Sequence, residues 1–227
     1  MKKRILVTGV NSYIGNAFRS YMELFPEEAE VMGISVRNDA WKTLDFSGYD
    51  CVFDVAGIAH ADTGHVSEEV KKQYYAVNCD LTVALAKKAK EAGVGQFVFM
   101  SSAIVYGDSA PIGFQRVITR ETSPAPADFY GDSKLQAEKG ILPLGDEHFK
   151  IAVLRPPMIY GKDSKGNYPV LSKMAQKLPV FPKVENQRSM LYIGNLVEFV
   201  RLIIKMKKKV FSFLRMNSTA TLQSLCR

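Results

Sequence analysis

Arg4-Ile5-Leu6-Val7-Thr8-Gly9-Val10-Asn11-Ser12-Tyr13-Ile14-Gly15 is the stretch on which the reading of this chain turns. An apolar run closed by Thr8-Gly9 reads as a strand buried on both faces. A helix is expected from about Ser12, with Ile14, Phe18 and Met22 on one face and a stop at Pro26. A strand, a glycine turn and a helix in that order place free N–H groups and a positive dipole end where a pyrophosphate can sit. Gly9 suits the tight turn and Gly15 the close packing of helix on sheet. Ser12 stands where the dinucleotide-binding fingerprint carries its middle glycine, and its hydroxyl is a candidate phosphate donor. Asn11, Ser12, Tyr13 and Ile14 complete the predicted phosphate loop.

The same alternation continues. Strands are predicted at 31–34, 51–55, 97–100 and 151–154, the last stopped by Pro156-Pro157. Helices are predicted over 67–92 and from Tyr130 to about Ile141. Strands alternating with helices predict an α/β doubly wound parallel sheet, with ligands outside the carboxyl ends of its strands. The expected organisation is a cofactor domain over 1–160, the start of a small substrate region over 161–204, and an atypical basic tail over 205–227.

Total charge argues against a polyanionic partner once its position is considered. The chain of 227 residues carries +7, but the tail holds six basic residues and no acidic one. Residues 1–204 carry 24 basic against 23 acidic groups, so no nucleic-acid partner is expected. No apolar stretch reaches membrane-span length, and no membrane partner is expected. Cys51, Cys79 and Cys226 are odd in number and show no metal-ligand spacing. No metal is expected, and the setting expected is a reducing cytoplasm.

Cofactor choice is read past the second strand, where an acid marks NAD through the ribose 2′-hydroxyl. Ile34-Ser35-Val36-Arg37-Asn38 has no acid there, and Ser35 with Arg37 suits a 2′-phosphate, which leans the reading to NADP over NAD. Asp45, followed by Phe46, could accept from an adenine amino group or simply cap a turn. Val55, Ala56 and Gly57 are small enough for a cofactor to pass the end of the third strand.

Tyr130-Gly131-Asp132-Ser133-Lys134 puts a phenol and an ammonium four residues apart on one helix face. A free tyrosine has a pKa of about 10, and a neighbouring cation is expected to lower it toward a usable base. Ser101-Ser102-Ala103-Ile104-Val105-Tyr106-Gly107 adds hydroxyls at the end of the fourth strand.

With Thr8–Gly15, Asn78, Ser101–Gly107, Tyr130–Lys134 and Leu154-Arg155-Pro156-Pro157-Met158-Ile159-Tyr160-Gly161 in this order, the chain resembles the extended short-chain dehydrogenases. Within them it resembles the sugar-nucleotide epimerase and dehydratase group, over roughly residues 4–204. The resemblance implies a Rossmann fold and a nucleotide-sugar substrate, with a place in surface polysaccharide synthesis. It implies Tyr130 as base, Ser102 on the substrate hydroxyl, Lys134 on the nicotinamide ribose and Asn78 supporting Lys134 through water. It further implies Pro157 at the cofactor, Ala103 and Met158 at the sugar, and Arg188 on the substrate diphosphate.

Dehydratases of the group carry Asp-Glu where Ala103 and Ile104 stand, and these two side chains transfer no protons. That reads against a dehydratase and leaves an epimerase or a keto-sugar reductase, with UDP-hexoses the expected substrates. A cofactor-binding module without activity is the expectation of another class, because the sugar pocket of the group is built from a further C-terminal region. The resemblance implies a homodimer through helices 67–92 and the one from Tyr130. The tail, with Lys205-Met206-Lys207-Lys208-Lys209 and an apparently shifted reading frame, is expected to pack poorly.

Overall fold

The computed structural model describes residues 2–59, 66–108, 110, 114, 116–119, 121–164, 187–207, 210–213 and 220–221. The strands are β1 (Lys3–Thr8), β2 (Ala29–Ile34), β3 (Cys51–Asp54), β4 (Gln96–Met100), β5 (Lys150–Arg155), β6 (Met158–Tyr160), β7 (Gln187–Arg188), β8 (Met190–Tyr192), β9 (Val210–Phe213) and β10 (Ala220–Thr221). The α-helices are α1 (Tyr13–Met22), α2 (Ala40–Thr43), α3 (Glu68–Tyr75), α4 (Leu81–Glu91), α5 (Phe129–Ile141) and α6 (Ile193–Met206). The side chains of β7, β9 and β10 lie outside what is described.

Six strands form one parallel sheet in the order β2-β1-β3-β4-β5-β9. The chain leaves β1 toward one edge and returns to its other side at β3. The order therefore reverses between β1 and β3, which is where such sheets open a crevice for ligands. The segment from Ile34 to Cys51 is the crossover from β2 to β3 and holds only the four-residue α2.

Alternation along each strand divides the core into two layers. Ile5, Val7, Phe53, Val98, Met100, Ala152 and Leu154 face α1 and α6, packing on Phe18, Leu196, Val200 and Ile203. Leu6, Val52, Phe97, Phe99, Ile151 and Val153 face α4 and α5, packing on Leu85, Ala89, Ala137 and Ile141. Helices on both faces explain why the strands read as continuous apolar runs.

Two expectations need correction. The helix over 67–92 is not uniform: a π turn over Ala76–Asp80 separates α3 from α4. Tail residues 210–213 are not detached, because β9 extends the sheet alongside β5, with Val210 opposite Ala152 and Phe213 opposite Arg155. A strand forms there because Val210-Phe211-Ser212-Phe213 has β-prone side chains and the edge of β5 offers backbone groups to pair. Among the described residues no helix is long and apolar enough to cross a membrane, and no cluster of His, Cys, Asp or Glu has metal-site geometry.

Candidate active site

The β1–α1 turn is built almost wholly by its own residues. Gly9 adopts φ +73°, and a Cβ there would stand 3.1 Å from the Ala56 Cα. Both the handedness of the turn and its approach to the β3 turn therefore require glycine. The Ser12 N–H donates to the Gly9 carbonyl at 2.7 Å, and the Ser12 Oγ accepts from the Gly15 N–H at 3.0 Å. Ser12 is thus the N-cap of α1 and keeps its own hydroxyl proton to donate. Gly15 is buried, and a Cβ there would meet the Val55 side chain at 3.0 Å. The first turn of α1 has no acidic residue, so its end is left positive. Asn11 is exposed beside this end, while Tyr13 and Ile14 are half-buried.

Ser35 and Arg37 are exposed just past β2, at the same end of the sheet, with Val36 buried between them. Asp45 is exposed and commits both carboxylate oxygens to Ser47, to its N–H at 2.7 Å and its hydroxyl at 2.6 Å. That is the turn cap of the sequence analysis. Phe46 is fully buried in the core, so its side chain is structural and only its backbone can meet a ligand.

The strand ends β3 and β4, the π turn and α5 converge on a second cluster. Ser102 caps the short 3₁₀ turn Ala103–Tyr106, and its Oγ accepts from the Ile104 N–H at 3.3 Å. The Asp128 carboxylate caps α5 through the Gly131 N–H at 2.7 Å. Gly131 lets α5 lie against the 3₁₀ turn, since a Cβ there would stand 3.0 Å from the Ile104 carbonyl oxygen. This contact brings the Tyr130 phenol beside Ser102, whose hydroxyl acts to lower its pKa. The Lys134 Nζ, one turn further, donates to the Met100 carbonyl at 3.1 Å and sits 4.8 Å from the centre of the Phe99 ring. A Cβ on Gly57 would lie 3.1 Å from that Nζ, so Gly57 keeps the space beside the ammonium open.

The expected lowering of the Tyr130 pKa by Lys134 is not found, and Lys134 is not among the groups that shift this phenol. Burial pushes the Tyr130 phenol up to about 12, against a smaller opposing pull from Ser102. Burial also brings the Lys134 ammonium down to about 8, opposed by Asp54 and Glu138. Asn78 is fully buried in the π turn and spans the site directly. Its Oδ1 accepts from the Ile58 N–H at 2.8 Å, and its Nδ2 donates to the Ile58 carbonyl at 3.0 Å and to Ser133 Oγ at 3.1 Å. Asn78 thus holds the β3 loop against α5, opposite Lys134 across Gly57.

Two buried networks were not singled out by sequence reasoning. The Asp54 carboxylate accepts from Thr8 Oγ1 at 2.5 Å, Thr82 Oγ1 at 2.9 Å and the Ala56 N–H at 3.2 Å. Glu138, four residues beyond Lys134, is ion-paired with Arg155 from β5 through both oxygens and accepts from Ser101 Oγ at 2.5 Å. Arg155 also donates to Tyr106 Oη at 2.7 Å. The available signal was a charged residue inside an apolar strand, at Arg155 and at Asp54 alike.

Ala103, Pro157 and Met158 line the same end of the sheet, each half-buried, with Met158 opening β6. Arg188 lies on β7, paired with Ala220, and its side chain is outside the described residues.

The NAD dependent epimerase/dehydratase family model matches residues 5–213. The chain is 34% identical over 218 residues to the UDP-glucose 4-epimerase of Vibrio cholerae, covering 88% of this chain and 66% of that protein. It is 28% identical over 209 residues to the N-acetyl-alpha-D-glucosaminyl-diphospho-ditrans,octacis-undecaprenol 4-epimerase of Escherichia coli O157:H7, covering 89% and 59%. The chain thus spans between 59% and 66% of the length of these two relatives. Among solved structures, MoeE5 in complex with UDP-glucose and NAD superposes with a TM-score of 0.77 at 19% identity, covering 98% of this chain and 79% of that one, which shows a shared fold. With a matching model over nearly its whole length, the chain belongs to the NAD dependent epimerase/dehydratase family.

Proposed function

We propose that this chain is an NAD(P)-dependent epimerase of a nucleotide-activated sugar, a UDP-hexose by its likeness to a UDP-glucose 4-epimerase, acting in surface polysaccharide synthesis. The observation that carries the reading is the gathering of Ser102, Tyr130 and Lys134 at one strand end, with the Lys134 ammonium beside the open face of Gly57. The residues present fit a dinucleotide. Gly9, Ser12 and Gly15 shape a positive helix end, and a side chain at Gly9 or Gly57 would fill the path past it. Gly9, Asn11, Ser12, Tyr13, Ile14 and Gly15 would hold the pyrophosphate, and Val55, Ala56, Gly57 and Pro157 would flank the cofactor. Ser35 and Arg37, exposed past β2, favour a 2′-phosphate and hence NADP. The bound cofactor supplies the hydride acceptor for oxidation of the sugar carbon and the donor for its return.

Tyr130 Oη would take the proton from the sugar hydroxyl being oxidised and give it back to the keto oxygen once the turned sugar is reduced on its opposite face. Ser102 orients that hydroxyl and shares its hydrogen bond with Tyr130. Lys134 bonds the cofactor ribose and favours the phenolate, which burial alone disfavours. Ala103 and Met158 border the sugar, and Arg188 is assigned to its diphosphate. Neither Ala103 nor Ile104 can exchange a proton, which argues against loss of water. Two copies pair through α3, α4 and α5, and sedimentation at micromolar concentration is expected to show a dimer.

The deciding experiment compares the parent with Tyr130→Phe, following interconversion of UDP-glucose and UDP-galactose and, separately, cofactor binding. Turnover should vanish while cofactor affinity changes little, because the lost group acts in the transition state. Unchanged turnover removes Tyr130 as the base. Consumption of NADPH with a keto-sugar nucleotide, without epimerisation, assigns the chain to reduction. Cofactor binding without any turnover in the parent makes it a binding module.

A further inference from the structure

The family reading gives no role to Asp54, yet it is the polar group on which both halves of the site meet. It closes β3 at the switch point of the sheet, and none of its surface reaches solvent. Thr8, which precedes the phosphate loop, accepts from the N–H groups of Val55 and Ala56 at 3.2 and 3.3 Å. Its own proton is therefore committed to Asp54 Oδ1. Thr82, one turn beyond Asn78 on α4, stands at 2.9 Å from Oδ2, and the Ala56 N–H reaches Oδ1. Burial pushes the Asp54 carboxyl above the usual carboxylate range, and Thr8, the charge of Lys134, Thr82 and the Ala56 N–H pull the other way, toward the ionised form.

A buried carboxylate served only by neutral donors still needs a cation. Lys134 is the cation placed to act on it: Asp54 is paired with Phe99 across β3 and β4, and the Lys134 Nζ sits 4.8 Å from the centre of the Phe99 ring. Other groups around Lys134 leave the same assignment. The Met100 carbonyl and the Phe99 ring from β4 are neutral. Asn78 faces it across Gly57, and Tyr130, one turn back on α5, is a neutral phenol at physiological pH. Glu138, one turn ahead, has its charge taken up by Arg155. Asp54 is thus the carboxylate near Lys134 that no guanidinium neutralises.

We propose that Asp54 is a positioning residue with two arms, one holding the phosphate loop to the β3 turn through Thr8, the other supplying the buried negative charge that keeps Lys134 an ammonium. The second arm rests on the reading of Lys134 as the cation of the active site. The two arms make cofactor seating and the charge at the reacting centre depend on one side chain.

The test reads Lys134 directly, in the full chain without substrate, so its failure is separate from failure of the epimerase assay. Protein carrying lysine labelled with carbon-13 at Cε is titrated by NMR, with Lys134→Arg identifying the resonance. Asp54→Asn keeps the size and the acceptor for Thr8 and the Ala56 N–H, makes Thr82 the acceptor of an amide N–H, and removes the charge. Its Lys134 midpoint should fall by about one pH unit or more. An unchanged midpoint in folded Asp54→Asn overturns the charge arm. Thr8→Val should leave the midpoint in place and weaken NADP and NAD binding about tenfold, the loss of one buried hydrogen bond. Unchanged binding overturns the loop arm. Should Asp54→Asn fail to fold, the parent still decides through aspartate labelled at Cγ. Asp54 should be ionised at neutral pH and its signal should move again as Lys134 titrates. A protonated Asp54 at neutral pH overturns the proposal.

Discussion

The phosphate loop and the redox cluster lie at the same end of one sheet, but they are built by different means. The loop draws on Gly9, Ser12 and Gly15, seven residues of chain, and its key hydrogen bonds join neighbours. The redox cluster draws on β3, the π turn, the end of β4 and α5, and is joined by Asn78, Asp54, Glu138 and Arg155, all buried. A local motif loses geometry one bond at a time. An assembled motif depends on charges that have no water to fall back on, so single losses there are large. Asp54 belongs to both, through Thr8 on one side and Lys134 on the other.

The largest break in this comparison is expected at Arg155. Arg155→Leu leaves Glu138 buried and uncompensated and should cost about 3–5 kcal/mol in urea denaturation. Adding Glu138→Leu should restore most of that loss, because it removes the stranded charge. If the single variant unfolds at the parent's midpoint, the assembled cluster is not the brittle half.

Gly9→Ala should come next, at about 1–3 kcal/mol, since alanine must hold φ near +73° with its Cβ 3.1 Å from Ala56 Cα. Cofactor titration should show it binding more weakly than the parent. Ser12→Ala removes a cap and should cost about 1 kcal/mol, leaving the loop recognisable. Smallest for stability is Arg37→Ala, within about 0.5 kcal/mol because the residue is exposed. It sharpens the comparison by ligand instead. NADP binding should weaken while NAD binding holds, and an equal change in both would show that Arg37 reads no 2′-phosphate.

Legibility follows the same division. β1, the turn and α1 were readable because hydrophobic period, glycine position and capping all act within a few residues. The Tyr130–Lys134 spacing was equally plain, since one helix turn presents both on one face. Asp45 and Phe46 were not, because a turn cap and a core ring resemble ligand contacts until the fold shows what each one touches. The direction of the Tyr130 shift was misjudged for a related reason. A cation four residues away is visible in sequence, but the burial that sets the direction of the shift is a property of packing.

By itself the sequence determined the α/β class, the glycine turn between β1 and α1, and the placing of Tyr130 and Lys134 on one helix face. Each of these rests on period, sterics or spacing along one stretch of chain. Tertiary structure alone decided that the π turn seats Asn78 between Ile58 and Ser133, that Glu138 spends its charge on Arg155, and that Asp54 is buried with Thr8 and Thr82 on its carboxylate. It also decided that residues 210–213 extend the sheet beside β5. Those outcomes depend on which groups are removed from water together, and desolvation is settled only when distant segments meet.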